Sequence, residues 1–437
     1  MDSLFLYNPT CNSGYRILSP MKLTFRKLDA VNKWLLILMG FFIPISTALT
    51  NVALILFLLF WMLDNISDRF QRWVSVLKTN PVALMGLVIF LIHLAGVFYS
   101  NGDNKRVTES LNDGAKFLFI SVAMVYFQDR QFYSKYLFSF VFAMSITLIL
   151  SYLLWMDMLP GFIHNKGGPQ DCSIFLNHIA QNIFMAFMSF MAAVWSRTAI
   201  GCEKKLLWGI FSLMALFNVA FMVAGRTGHL IIGVLFLYYF ISWGRVKGLM
   251  VAVVILLFLG MSAWLLPSNS FFLRAKTVIE EIKVWKYGKP AYTDSSSGLR
   301  LEFYINTLKI IKENMIFGTG TGSFEKTYKD SMKNIKMNPT NNPHNEYLMT
   351  TAQFGLVGLL AILIFFWFQW RNAKFFDDSQ QTIISRGFVI TIVFAAMVSS
   401  PLLDHAEGWF FALMSAHLFA GAASGPGFWD KGKPLYP

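Results

Sequence analysis

The chain has 437 residues, of which 55% are hydrophobic and only 14% charged, with 44 phenylalanines and a mean hydropathy of +0.51. A soluble domain carries about 25% charged residues, so this composition excludes an ordinary soluble protein and predicts an all-α integral membrane protein. The net charge of +13 is spread through short loops without the aromatic interleaving of a nucleic-acid groove, so no nucleic-acid partner is expected.

In chain order, residues 1–33 read as a cytoplasmic segment. Its first 20 residues lack the apolar core and A-x-A site of a cleavable signal peptide. The run MKLTFRKLDAVNK then looks like a natural start, with Met21 as initiator or residues 1–20 dispensable. Apolar stretches predict 12 spans, at 34–47, 49–63, 82–99, 114–127, 137–156, 176–195, 206–223, 229–243, 249–266, 347–370, 387–400 and 409–423. The first two form a tight hairpin around Pro44. Residues 34–266 thus hold nine spans, 347–423 three more, and 424–437 form a tail.

Orientation follows from Lys and Arg. With the N-terminus inside, the inside segments hold 20 of the 37 basic residues and the short outside segments five, namely Lys105, Arg106, Lys116, Lys166 and Arg226. The other 12 lie in one long loop that does not vote. Both termini are therefore placed in the cytoplasm and the loop outside. The cysteines at 11, 172 and 202 fall on different sides, so no disulfide is expected.

The long outside loop, 267–346, contains two amphipathic stretches. Residues 271–286 place Phe272, Ile279 and Ile282 near one face, and 299–316 place Phe303, Leu308, Ile311 and Met315 at helical spacing. Such helices lie on a bilayer surface or roof a cavity. Gly318, Gly320 and Gly322 imitate a phosphate loop, but they follow a helix and no GK[ST] is present; they read as a helix C-cap and flexible turn.

The richest stretch for chemistry is Asn341-Asn342-Pro343-His344-Asn345-Glu346-Tyr347. With Asn342 as N-cap and Pro343 at the first position, His344 falls in the first helical turn. There the dipole keeps its imidazole neutral, fit to serve as a general base; the bland alternative is an exposed histidine beside a plain cap. Arg226, between Gly225 and Gly228, sits at the bilayer edge, where an arginine either binds a ligand or snorkels. Arg300 opens the second amphipathic stretch and either binds or pairs with Glu302 or Asp294. Asp404, His405 and Glu407 in the last outside turn bind, orient a partner or are simply solvated. Asn177 and His178 are weaker candidates, and His93 and His417 read as packing residues. The outside segments have no D-x-D, so metal ligands are not obvious, and two arginines are an alternative means of neutralising a diphosphate.

At these residues the chain resembles the O-antigen ligase and polymerase superfamily of membrane glycosyltransferases. The likeness is carried by AGRTGHL (224–230), GLRLEFYINTLKIIKENMIFGTGTGSF (298–324) and NPHNEYLMTTAQFGLVGLL (342–360), together with the layout of about 12 transmembrane helices and one large late periplasmic loop. The resemblance implies a GT-C-like fold in a Gram-negative inner membrane with its site facing the periplasm. It implies Arg226 and Arg300 as ligands of the diphosphate of an undecaprenyl-diphosphate-linked O-antigen, and His344 as the base that activates a hydroxyl of lipid A–core. Asn345, Glu346 and Asp404 would be supporting residues. No metal or other cofactor is implied, and the anomeric centre would be inverted. Chain length favours a ligase; a polymerase or a protein O-oligosaccharyltransferase keeps the same fold, and a lipid-linked glycan flippase is the alternative from another class.

Overall fold

The computed structural model describes residues 20–63, 65–159, 171–244, 246–254, 280, 283, 296–332, 340–375 and 379–423. The described residues contain helices and connecting turns and no strand. In chain order the helices are α1 (Pro20–Phe42), α2 (Thr47–Leu63), α3 (Ile66–Thr79), α4 (Pro81–Val97), α5 (Asn104–Phe127), α6 (Arg130–Trp155), α7 (His178–Thr198), α8 (Cys202–Phe217), α9 (Arg226–Gly244), α10 (Ser296–Glu313), α11 (Phe324–Ser331), α12 (Glu346–Asn372), α13 (Ser379–Val398) and α14 (His405–Phe419). A π-helical turn, Asn218–Met222, extends α8, and residues 246–254 are also helical.

Among the described residues, six helices are long and apolar enough to cross a membrane, or seven if α2 and α3 form one broken span. Of the 12 spans expected from the sequence, the ninth (249–266) is helical to 254 and otherwise lies outside the described residues; the rest overlap helices, several of them shorter or more polar than a full span. Helix α3, read from sequence as a connection, is amphipathic. Asn65 caps it by accepting from the Asp68 amide at 3.5 Å. Of the two amphipathic stretches, 299–316 is realised as α10, whereas 271–286 lies almost wholly outside the described residues.

The sides of the bundle are apolar. Val52, Ile55, Leu59 and Met62 of α2 and Leu206, Leu207, Ile210 and Leu213 of α8 are all exposed. Apolar bands on this scale are costly in water and natural in lipid. The centre is built on α7 and α14, whose residues from Ala406 to Phe419 are all buried. Phe410 packs there against Phe140, Phe184, Phe187 and Phe388. His93 lies against Phe354 and His417 stacks on Tyr133, so both are packing residues, as their sequence setting implied.

One device ties the late segment to the bundle. Helix α12 is broken at Gly355, whose φ of 63° lies in the left-handed region. A Cβ there would run into the Ile316 carbonyl, so only glycine is accommodated. The break leaves carbonyls without intrahelical partners, and the glycine-rich run fills it. The Thr319 amide donates to Ala352 O at 3.0 Å, Gly320 to Gln353 O at 2.8 Å and Thr321 to Gly96 O of α4 at 3.1 Å. The Leu356 amide donates back to Met315 O at 2.8 Å. The run at 318–322 is therefore a fixed wedge, correcting its reading as a flexible turn. Its backbone is hydrogen-bonded on two sides, to α12 and to α4.

Candidate functional site

Three segments far apart in the chain carry the candidate residues: the turn before α9, helix α10, and the strap 340–346 that leads into α12.

Arg226 is the first residue of α9. The turn before it is held by Asn182, whose amide donates to Ala224 O at 2.9 Å, and by buried Asp171, which accepts from the Ala224 amide at 3.3 Å. Gly225 has φ 127°, and a Cβ on it would lie 3.0 Å from His178 and 3.1 Å from Asn182. The turn thus requires glycine, and it fixes where Arg226 starts. His178 packs against this turn and lies 3.8 Å from Asp171.

Arg300 is half-buried on α10. Burial pushes its pKa below the ordinary value, Tyr304 acts in the opposite direction, and the nearby Arg226 guanidinium adds a smaller lowering. Arg226 thus lies within electrostatic reach of Arg300, and two neighbouring guanidinium groups have the charge and geometry to receive an anion.

His344 lies within electrostatic reach of Arg300. Its pKa is lowered by burial first and by Arg300 second, which keeps the imidazole neutral near pH 7. The cause differs from the one expected. The N-cap of α12 is Asn345, whose side chain accepts from the Leu348 amide at 3.0 Å, not Asn342. His344 is therefore outside the helix, with φ 56°, and burial with a neighbouring cation replaces the helix dipole. Asn342 instead accepts the His344 amide at 2.7 Å and the Ser400 hydroxyl at 2.8 Å. The local competition between two asparagines three residues apart was decided by Ser400, which draws Asn342 into a side-chain turn.

The supporting residues occupy distinct places. Asn345 also donates to Met397 O at 2.9 Å. Glu346 is buried and accepts the Leu402 amide at 3.2 Å. Asp404 stands at the N-cap position of α14 with no side-chain capping bond. Burial raises its pKa and Lys116 lowers it. Asp404 and His344 line one polar cavity of about 570 Å³, shared with Asn342, Asn112, Asp113 and Phe324. His344 thus lines this cavity and lies within electrostatic reach of Arg300, which is not among the cavity's lining residues. His405 lies elsewhere, 2.6 Å from the Asn51 side-chain oxygen of α2.

Two residues escaped the sequence reading. Tyr304 bridges to the His344 carbonyl, and Lys116 is buried beside Asp404. A lysine inside an apolar run was a usable signal for the second; the first had none. Among the described residues no group of three or more His, Cys, Asp or Glu is arranged to hold a metal ion.

Residues 210–363 match the family model described as O-antigen ligase. This segment, about a third of the chain, is similar to the O-antigen ligase family. The matched range contains Arg226, Arg300, His344, Asn345 and Glu346 and stops short of Asp404. The O-antigen ligase superfamily comprises glycosyltransferase-like membrane enzymes, in keeping with the multi-pass helical architecture. A curated relative from Haemophilus influenzae, described only as an uncharacterized protein, is 26% identical over 171 residues, covering 37% of this chain and 42% of that protein. The chain thus matches less than half the length of that relative.

Proposed function

We propose that the protein is an inverting, metal-independent O-antigen ligase that transfers glycan from undecaprenyl diphosphate to lipid A–core. The observation that supports this reading is that Arg300 lies within electrostatic reach of both Arg226 and His344, and that His344 and Asp404 line one polar cavity. In the proposed step His344 takes the proton of an acceptor hydroxyl held in the polar cavity. The oxygen forms a bond to the anomeric carbon as the bond from that carbon to the diphosphate breaks. The bonding electrons leave with the diphosphate oxygen, where Arg226 and Arg300 stabilise them, typically by a few kcal/mol per donor. Asp404 accepts a hydrogen bond from the acceptor sugar. The linkage itself stores the driving energy, so no nucleotide is consumed.

The same reading sets twelve spans in a Gram-negative inner membrane. Residues 1–33 and 424–437 are cytoplasmic, 34–266 and 347–423 hold the spans, and 267–346 is a periplasmic loop that brings Arg300 and His344 over the membrane. Both lipids enter sideways along the apolar flanks.

The test is transfer between the two purified lipid substrates by purified protein, with a chelator present. Product formation supports ligation, and its absence with both lipids refutes it. A deletion strain separates the related activities. Loss of ligation leaves core without O-antigen, loss of a polymerase leaves core with one unit, and loss of a protein O-oligosaccharyltransferase leaves lipopolysaccharide intact. A flippase would show movement of the lipid-linked glycan with no transfer.

A further inference from the structure

Lys116 lies in the apolar run of α5 and is buried. Its ammonium donates to Asp113 at 2.7 Å and to three successive backbone carbonyls, Leu402 at 3.3 Å, Leu403 at 3.2 Å and Asp404 at 3.1 Å. The niche is built for it, since a Cβ on Gly408 would lie 2.7 Å from the Lys116 nitrogen. On the other side of the same turn, Glu346 accepts the Leu402 amide at 3.2 Å, and Ser400 donates to Asn342, which holds the His344 amide. The turn at 400–404 is thus gripped by a cation and by a carboxyl, and it borders the cavity through Asp404 while bonding to the strap that carries His344.

We infer that Lys116 is a positioning residue of the transfer site: its ammonium fixes the 400–404 turn, setting the Asp404 carboxylate toward the cavity it shares with His344. The inference rests on the ligase reading and adds to it a residue outside the matched family segment. Charge makes the role more than packing. Asp404 is faced by Asp113 and Glu346 and by Glu407 of its own helix. Glu109 and His344 border the same cavity, and Arg106 there is paired with Glu325 at 2.5 Å and Glu109 at 2.7 Å. Lys116 is the cation that lowers the Asp404 pKa against burial. Without it, Asp404 keeps its proton to higher pH.

The experiment is the two-lipid transfer assay over a pH series with the full chain and with Lys116→Gln and Lys116→Met. Glutamine is one bond shorter and has two hydrogens in place of three, but it keeps an NH2 donor for the carbonyls while discarding the charge, so it decides the matter if the methionine variant does not fold. The expected result is an upward move of the acid limb of kcat/KM for the acceptor by about one pH unit, with the donor KM unchanged. In an Asp404→Asn background Lys116→Gln should move the limb no further. A limb that stays in place in Lys116→Gln, or one that still moves when Asp404 is already Asn, overturns the inference while wild-type transfer leaves the ligase reading intact. A wild-type protein inactive on both lipids overturns that reading and this inference with it.

Discussion

The Tyr304 hydroxyl lies 3.3 Å from the backbone carbonyl of His344 and also 3.3 Å from the carbonyl of Met397 at the end of α13. One phenolic hydrogen is shared between them, so Tyr304 links α10, the strap and α13 at a single point. Tyr304→Phe removes that link and keeps the ring. A hydrogen bond of this kind, partly buried at His344 and exposed at Met397, contributes about 1 kcal/mol, so kcat should fall by roughly fivefold in the purified transfer assay. An unchanged kcat would show that the link does not position His344.

His344→Ala should abolish ligation while the protein still inserts. General-base catalysis contributes about 10²–10⁴-fold, and the variant should lose at least that much in vitro. Smooth lipopolysaccharide from a strain carrying only this variant would refute the assigned role.

Arg226→Lys and Arg300→Lys retain a positive charge but lose the planar two-pronged contact with phosphate oxygens. Each should lower kcat by roughly 10²-fold, in line with the loss of one preorganised donor to developing negative charge. Steady-state kinetics with the lipid-linked donor checks this; wild-type rates in both variants would remove the diphosphate from the arginine pair.

Asp404 sets the acid limb of kcat/KM for the acceptor, whereas at saturating acceptor the acid limb of kcat should reflect the depressed pKa of His344. Its folded value lies below 6.5 because of burial and Arg300, so His344 remains a base at pH values where an exposed histidine is already charged. Activity through this group is lost only as pH falls through the lowered value. Arg300→Gln removes the second cause and should move the limb upward, toward 6.5. The stability sign agrees: the unfolded chain binds this proton first, so His344 costs stability as pH drops from 6.5 toward its folded value. A limb moving downward in Arg300→Gln would contradict the geometry.

The membrane class and helix positions were legible in the sequence because lipid imposes a strong local rule. A span must satisfy its own backbone and present apolar side chains, and both conditions are written in consecutive residues. The candidates at 226, 344 and 404 drew notice for a related reason, since charged and polar groups at span ends stand out against apolar surroundings, and Arg300 drew notice at the start of an amphipathic stretch. Helix α3 was missed because it is amphipathic and does not form an apolar run. The cap at Asn345 was misplaced because Asn342 and Asn345 have equal local claims, and Ser400, far along the chain, settles them.

By itself, then, the sequence determined an all-helical membrane protein and a short roster of polar groups near helix starts. Only the tertiary structure brought Arg226 close enough to Arg300 to oppose its charge, seated the 318–322 run in the break at Gly355, and buried Lys116 against the turn before α14. The physical reason is range. Hydropathy and capping act over a few neighbouring residues, whereas charge convergence and the partners of a broken helix depend on segments that only packing brings together.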